Sequence, residues 1–366
     1  MDLSKAFDRV HHAVLLGKLE GLGVRGLALS WMRSYLADRK QYVEVQGGKS
    51  GETAVSVGVP QGSVLGPLLF LVYANDMGCS LARSRLVQYA DDSNIVTRGR
   101  LSSELEINSY LDMSQIQQWL DGCHLTCNYL KTNYLLFRMP AKTDLTLSVF
   151  MGDASISRVA EIRFLGITVD EHLSWTPHVD QCCKKLSSAV FALRVLSREC
   201  RDRHALLMVY HGLFVSQARY GIIAWGGAAE SNLTRVLVWQ KRAVRIIGNL
   251  GYRDSCRQSF KDLRLLTVPS LFILDSIMFC LEQRDFLSVK DSTGRTTRRA
   301  DDLYLSPSRI RKTDQHVLRQ GRILFNALPD DLKAVRGELK KFKRLLLNHL
   351  LDGAFYSLRE FREGLG

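Results

Sequence analysis

Two adjacent aspartates, Asp91 and Asp92, stand in the run Tyr89-Ala90-Asp91-Asp92, with Leu86-Val87 before it and Ile95-Val96 after it. Two short β-prone runs around such a pair predict a hairpin with the carboxylates at its tight turn. Along a strand, neighbouring side chains face opposite ways. A turn relaxes that rule and lets both carboxylates approach one point. Adjacent like charges repel and raise each other's pKa unless a cation sits between them. A divalent ion meets that need, and Mg²⁺ prefers a few carboxylates plus substrate phosphates. A bare Asp-Asp pair is more often a solvated turn, and two other stretches decide against that reading here.

The first is Asp2-Leu3-Ser4-Lys5-Ala6-Phe7-Asp8. Nucleotidyl transfer uses two metal ions about 3.5–4 Å apart, one at the attacking 3′-oxygen and one at the triphosphate. Two ions need a carboxylate from a neighbouring strand that can bridge them. Asp2, at a strand end beside the hairpin, can supply it, whereas Asp8 lies beyond the turn and is expected to cap or pair locally. The second stretch runs from Gly58-Val59-Pro60-Gln61-Gly62-Ser63 into Val64–Phe70. Its glycines allow close approach of backbone to a ligand. Gln61 can hydrogen-bond a sugar or a base edge without adding charge. The Val64–Phe70 part is core in any reading.

These stretches need a scaffold to hold them. Helical apolar spacing predicts helices over Ala13–Leu22, Leu27–Leu36, Val64–Ala74 (capped by Ser63) and roughly 102–121. Gln41–Val45 and Ala54–Val57 flank Gly47-Gly48 and read as a hairpin. Tyr134–Phe137 and Arg163–Val169 read as strands. From about Pro177 onward the pattern is mostly helical, with helices over His178–Arg198, His204–Ala218, Leu233–Gly248 and Leu339–Leu351. Asp291–Arg299 is a polar, basic linker or exposed loop. The fold class is therefore α/β (α+β): an antiparallel-centred palm sheet with helices on one face, then all-α regions. The expected division is 1–174, 175–250 and 251–366.

With 46% hydrophobic and 24% charged residues among 366, the composition is that of a globular chain and not a disordered one. A formal net charge of +13 favours a polyanionic partner, nucleic acid before anionic membrane. The sequence opens on Met1-Asp2-Leu3 without a signal peptide, and no apolar run approaches the ~18 residues of a membrane span. The eight cysteines are irregularly spaced, as expected for free thiols. The expected location is intracellular, in nucleus and cytoplasm.

Taken in order, the three acidic and glycine-rich stretches resemble motifs of the reverse transcriptases of non-LTR retrotransposons. Asp2–Asp8 looks like their first catalytic motif. The run Pro60-Gln61-Gly62-Ser63-Val64-Leu65-Gly66-Pro67-Leu68-Leu69-Phe70 is similar to their nucleotide-site loop and helix. Tyr89–Asp92 looks like their catalytic hairpin. Asn128-Tyr129-Leu130-Lys131-Thr132 with Phe137 resembles the next palm motif, and Phe164-Leu165-Gly166-Ile167 the primer-grip region. Further on, Tyr220-Gly221, Trp225-Gly226, Gln240–Ala243, Arg245–Ile247, Asn326–Pro329 and Phe355–Ser357 are similar to the later regions of jockey- and CR1-like elements.

The resemblance implies an RNA-directed DNA polymerase that adds dNTPs to a DNA primer on an RNA template. It implies two Mg²⁺ ions, with Mn²⁺ as an alternative, held by Asp2, Asp91 and Asp92. Phe7 would lie under the incoming sugar and exclude a 2′-hydroxyl by clash. Gln61 and Gly62 would line the dNTP site. Lys131 would face the triphosphate, either neutralising charge or protonating the leaving pyrophosphate. Leu165 and Gly166 would place the primer end. The region from Trp175 to about Arg201 would be the thumb, with Lys184, Lys185, Arg194 and Arg198 as candidate phosphate contacts. Arg295, Arg298, Arg299 and the run from Lys340 to Arg344 are further basic candidates.

Family members carry an apolar strand leading into the first aspartate, preceded by fingers and an endonuclease. On this reading the chain is N-terminally truncated. Asp2 is then expected to fray, since termini are poorly ordered unless tied down, and the palm sheet to expose an edge. A frayed ligand is badly preorganised for catalysis. The other functional readings are a non-catalytic nucleic-acid-binding remnant and a group II intron-type reverse transcriptase.

Overall fold

The computed structural model describes residues 1–137, 145–200, 202–283, 302–307 and 311–364. Its contacts divide the chain into two compact units, Met1–Ala160 and Glu161–Gly366.

The first unit mixes helices with short strands. A 3₁₀ turn at Ala6–Arg9 leads into α1 (His12–Gly21) and α2 (Gly26–Leu36). Two nested antiparallel ladders follow: β1 (Lys40–Gln41) pairs with β4 (Thr53–Ala54), and β2 (Glu44–Val45) with β3 (Gly48–Lys49). The sequence expectation of one continuous hairpin is corrected here. Gln46 and Gly47 both take positive φ and turn the chain tightly, so Val45 pairs with Gly48 and not with the later run. Next come α3 (Leu65–Ala74), the hairpin β5 (Ser84–Tyr89) with β6 (Asp92–Thr97), and α4 (Ser102–Gly122). Ser63 accepts a hydrogen bond from the Gly66 amide at 2.9 Å, so the helix start is capped as its sequence suggests.

β7 (Asn133–Tyr134) is shorter than expected and pairs in parallel with β10 (Ser157–Arg158), while β8 (Phe150–Met151) and β9 (Ala154–Ser155) form their own ladder. The core gathers Leu15 and Leu19 of α1, Leu69, Phe70 and Tyr73 of α3, and Ile116 and Leu120 of α4. Two polar anchors fix these helices. The Tyr73 hydroxyl donates to the Cys123 carbonyl at 2.5 Å and accepts from the His11 amide at 3.2 Å. Fully buried Asp112 on α4 accepts from the amides of Ala82 and Arg83, which holds the chain entering β5.

The second unit opens with a hairpin, β11 (Glu161–Phe164) and β12 (Ile167–Asp170), where one strand over Arg163–Val169 was expected. Leu165 and Gly166 both have positive φ, the requirement of a two-residue I′ turn, so the run folds back on itself. Helices then dominate: α5 (Thr176–Glu199), α6 (Arg203–Val209), a π-helical segment (Tyr210–Val215), α7 (Ser216–Arg219), α8 (Ile222–Trp225), α9 (Glu230–Ile247), α10 (Arg257–Asp262) and α11 (Val268–Glu282). The C-terminal helices are Val317–Asn326, Asp330–Ala334, Leu339–Gly353 and Leu358–Glu363. Among the described residues no helix is long and apolar enough to cross a membrane.

This unit is organised around a buried amide. Gln240 on α9 has no exposed surface. Its Nε2 donates to the Tyr210 hydroxyl at 2.8 Å and to the Leu266 carbonyl at 2.9 Å, and its Oε1 accepts from the Val268 amide at 2.8 Å. One side chain thus joins the π-helical segment, α9 and the start of α11. Burial pushes the Tyr210 hydroxyl pKa far upward, so it stays a neutral partner.

Near β12, Asp170 accepts from the amides of Ser174 and Trp175 at 2.9 and 2.8 Å, just ahead of α5. Burial alone would raise its pKa, but these donors hold it below the ordinary carboxylate value. His178 accepts from the Thr168 amide at 3.3 Å, and burial followed by nearby Lys185 lowers its pKa.

Replacing Gln240 with Leu leaves the Val268 amide and the Leu266 carbonyl without partners. This variant should lose about 2–4 kcal/mol, read from denaturant unfolding, since each orphaned buried group costs roughly 1–3 kcal/mol. The pH prediction follows from His178. Its unfolded pKa is about 6.5 and its folded value is lower, so below about pH 6.5 the unfolded chain binds a proton that the folded chain refuses. Stability should therefore fall as pH drops from about 6.5, until the folded group titrates. Denaturation midpoints at pH 7.5 and 5.5 should differ less in His178→Gln than in the parent.

Candidate active site

The residues around Asp2 form an extended segment tied on both sides, contrary to the expected fraying. On one side the Met1 α-amino group donates to the Ser93 carbonyl at 2.8 Å, and the Ser93 amide to the Met1 carbonyl at 3.4 Å. On the other side the Asn128 amide donates to the Asp2 carbonyl, and the Ser4 amide to the Thr126 carbonyl, both at 2.8 Å. Leu3 bridges antiparallel to Cys127. The Asp2 amide also donates to Thr132 Oγ1 at 3.2 Å. These bonds tie the segment on both sides.

The register follows from those bonds. Reciprocal bonds between Met1 and Ser93 make an antiparallel pair, so Asp2 lies across from Asp92. Residues directly opposite in such a pair share a face, with Cβ atoms about 5 Å apart. Burial lowers the pKa of the Met1 amino group, while Cys127, Asp2 and Asp92 push it back up, so both carboxylates lie within electrostatic reach of the same nitrogen.

Asp91 sits in the turn itself. Tyr89 pairs with Asp92, leaving Ala90 and Asp91 as a two-residue loop with Ala90 at φ 52°. Positive φ at the first loop residue alone is the II′ pattern, normally a glycine position. Ala90 therefore carries backbone strain where the chain leaves the ladder, next to Asp91 in the turn and one residue before Asp92 re-enters it. Asp2 and Asp91 are half-buried and Asp92 is exposed. Among the described residues none of the three carboxylates takes part in a hydrogen bond or an ion pair.

No three His, Cys, Asp or Glu side chains among the described residues are gathered closely enough to make a full ligand set. The carboxylates across the Met1–Ser93 pair still suit an ion that takes one or two carboxylates and completes its shell with phosphate and water. An all-oxygen donor set selects a hard cation over zinc or copper.

The other expected residues of this unit arrive by separate routes. Lys131 ends the turn in which its amide donates to the Asn128 carbonyl, so the bonds that anchor Asp2 also fix the exposed lysine. Phe7 lies against Phe70 of α3, ring centroids 4.5 Å apart. Gln61 donates from Nε2 to Asp8 Oδ1 at 2.8 Å, so Asp8 pairs with a residue 53 positions away and not locally as expected. The loop holding Gln61 and Gly62 is pinned at its start: the Gly58 amide donates to the Val10 carbonyl at 2.7 Å and the Val59 amide to the Phe7 carbonyl at 2.9 Å. At Gly58, with φ +91°, a Cβ would lie 2.9 Å from the Asp8 carbonyl oxygen, so only glycine fits.

Leu165 and Gly166 belong to the second unit, at the β11–β12 turn. The Tyr220 hydroxyl donates to the Leu165 carbonyl at 2.6 Å, and its ring lies against Gly166, where a Cβ would approach to 3.2 Å. Lys184, Lys185, Arg194 and Arg198 are exposed on α5, and Lys340 and Arg344 on the helix Leu339–Gly353. Arg295, Arg298 and Arg299, with the rest of the expected linker, lie outside the described residues.

Sequence reasoning missed three supports. Thr132 and Asn128 hold Asp2, and Tyr220 clamps the Leu165 turn. The available signal was the recurrence of small polar and aromatic residues inside the matched motifs, which composition alone does not distinguish from surface residues.

A family model described as reverse transcriptase (RNA-dependent DNA polymerase) matches residues 1–169. The probable RNA-directed DNA polymerase from transposon BS of Drosophila melanogaster is 30% identical over 277 residues, covering 73% of this chain and 30% of that protein. The RNA-directed DNA polymerase from mobile element jockey of the same organism is 28% identical over 282 residues, covering 74% and 30%. The retrovirus-related Pol polyprotein from type-1 retrotransposable element R1 of Bradysia coprophila is 29% identical over 231 residues, covering 62% and 22%. The chain thus spans less than a third of the length of these relatives. With its domain match at residues 1–169, the chain belongs to the reverse transcriptases of non-LTR retrotransposons.

Proposed function

We propose that this chain is the polymerase-bearing part of an RNA-directed DNA polymerase that extends a DNA primer with dNTPs on an RNA template. The observation that carries this reading is the Met1–Ser93 pairing, which sets Asp2 across from Asp92 beside the turn that carries Asp91. Reverse transcriptases generally work with divalent metals. Asp2, Asp91 and Asp92 would hold two Mg²⁺ ions, which supply charge stabilisation to the attacking 3′-oxygen and the triphosphate.

The protein's own groups do the rest. Lys131 meets the triphosphate with a positive charge or a proton for the leaving pyrophosphate. Phe7, backed by Phe70, forms a wall under the sugar. Gln61 and Gly62 border the dNTP, with Gln61 oriented by Asp8. The turn at Leu165 and Gly166, braced by Tyr220, places the primer end. The functional division is a palm at 1–174, a thumb and connection at 175–250, and a basic C-terminal region at 251–366. The work is done in the nucleus and cytoplasm.

Primer extension on a poly(rA)–oligo(dT) substrate with Mg²⁺ tests the reading. Extension should appear with the parent chain and fall at least 100-fold in Asp91→Ala, while folding stability stays within about 1 kcal/mol, since this half-buried carboxylate has no partner to lose. Extension that survives the substitution, or that never appears, would refute the proposal for this chain. The role of Phe7 gives a second test. Phe7→Val should raise ribonucleotide incorporation relative to deoxynucleotide by at least tenfold, because selection by clash disappears with the ring. An unchanged ratio of kcat/KM values would remove Phe7 from the sugar site.

A further inference from the structure

Two of the late sequence stretches converge on one aromatic ring in the second unit. Tyr356, of the Phe355-Tyr356-Ser357 run, is half-buried, with Phe260 of α10 edge-on to it at 6.1 Å between ring centroids. The Lys241 ammonium lies 3.6 Å from the Tyr356 centroid and the Arg257 guanidinium 4.4 Å from it. Lys241 and Arg245 stand one turn apart on α9 and so share a face of that helix. Arg245 is within electrostatic reach of both Lys241 and the Tyr356 hydroxyl. Three cations thus crowd one neighbourhood. Burial lowers the Lys241 pKa most, and Arg245 and Arg257 lower it further against the opposing effect of Cys256 and Glu360.

The carboxylate at this place is already committed. Glu360 accepts from Arg257 at 2.5 Å on one oxygen and from the Tyr356 amide at 2.6 Å on the other. That answers the charge of Arg257 and leaves those of Lys241 and Arg245. Arg245 donates to a neutral group, the Asp254 carbonyl, at 3.1 Å. Its Nε and the Tyr356 hydroxyl are buried without a hydrogen-bond partner. Among the described residues Lys241 Nζ meets the Tyr356 ring and no oxygen. Ammonium and guanidinium N–H groups can only donate, and the phenol, kept neutral by burial, can donate as well. Unpaired buried donors are costly. Water can accept from them but leaves both charges unanswered. What satisfies donors and charges together is a compact, acceptor-rich dianion, the description of a phosphate ion near neutral pH. The Arg257 side chain keeps 31% of its surface, so the cluster is not sealed from solvent.

We propose that Lys241, Arg245 and the Tyr356 hydroxyl form a site for free inorganic phosphate, which pins the Phe355–Ser357 segment to α9. The site lies wholly within the second unit and does not rest on the polymerase chemistry proposed for the first. Its ligand is a small ion that stabilises the helical unit, not a phosphate of a template or primer strand.

The test is thermal unfolding of the full chain with increasing sodium phosphate, against sodium chloride at the same pH and ionic strength. Phosphate should raise Tm by at least about 3 °C and saturate at low millimolar concentration, as a bound ligand does. General exclusion of phosphate from protein surfaces also stabilises, but it does not saturate and acts on every variant alike. Tyr356→Phe keeps the ring and both cation contacts and deletes an unpaired hydroxyl. In chloride its Tm should equal or exceed the parent's, while its phosphate shift should fall by at least half. Lys241→Gln should abolish the shift and weaken phosphate binding by at least tenfold in calorimetry. Arg85→Gln, an exposed charge on β5 of the first unit, should leave the shift unchanged. If Lys241→Gln does not fold, Tyr356→Phe decides. The proposal fails if the shift does not saturate, if Tyr356→Phe keeps it whole, or if Arg85→Gln lowers it as much as Lys241→Gln. It also fails if a short oligonucleotide gives the shift and inorganic phosphate does not, which would make the cluster part of a polynucleotide surface.

Discussion

The first unit depends on how four residues at the start of the chain are hydrogen-bonded. Residues 1–4 would otherwise present unpaired amides and carbonyls, each costly when buried. Met1 satisfies its groups on Ser93, and Asp2 and Ser4 satisfy theirs on Thr126, Asn128 and Thr132. The segment therefore acts as a strand between two neighbours, in keeping with the strand end expected at Asp2. Its position between β6 and residues 126–128 joins the catalytic-type hairpin to the Lys131 turn. Without it these would be two separate surface features.

The later motifs do a different kind of work. Gln240, on α9, satisfies three buried groups on two other segments. Lys241, next to it, lies 3.6 Å from the centroid of the Tyr356 ring, and Arg257 lies over the same ring at 4.4 Å. Burial first, then nearby Cys256, push the Tyr356 hydroxyl pKa up to about 12, so it stays neutral between the two cations. Asn326 holds the backbone of Leu303 through both ends of its amide, at 2.8 and 2.9 Å. Trp225 donates to the Tyr220 carbonyl at 3.1 Å, and Tyr220 clamps the Leu165 turn. Stretches that look like functional signatures in sequence here hold the helical unit together. Polar residues in these stretches answer buried polar groups, whose partners are the least replaceable in a core.

How much was legible follows from the range of each interaction. The hairpin at Tyr89–Asp92 and the helices α1 to α5 and α9 were readable because periodicity and turn chemistry act within a few residues. The Gln61–Asp8 pair, the Asp2–Thr132 bond and the Tyr220–Leu165 clamp were not, since they join residues 53, 130 and 55 positions apart. The β11–β12 hairpin was misread as one strand for a local reason. Leu165 is an unusual residue for positive φ, and Gly166 alone did not announce a two-residue turn. Fraying at Asp2 was expected from chain position, but order at a terminus is decided by the hydrogen bonds of its backbone.

Charge disposition separates the structural from the functional. Inside both units charged groups are answered: Lys18 by Asp76 and the Tyr73 carbonyl, Asp112 and Asp170 by backbone amides, and Lys333 by Asp302 at 2.9 Å. Two groups of like charge are not answered in this way. Asp2 and Asp92 face the same Met1 nitrogen, with Asp91 in the adjoining turn, and none of the three carboxylates has a hydrogen-bonded partner; five arginines between α5 and α9 line one groove with no acidic residue among them. A fold that satisfies its polar groups elsewhere keeps such clusters only where something outside the chain completes them. The two groups have opposite sign and lie one in each unit: the carboxylates are open to cations and the guanidinium groups to anions.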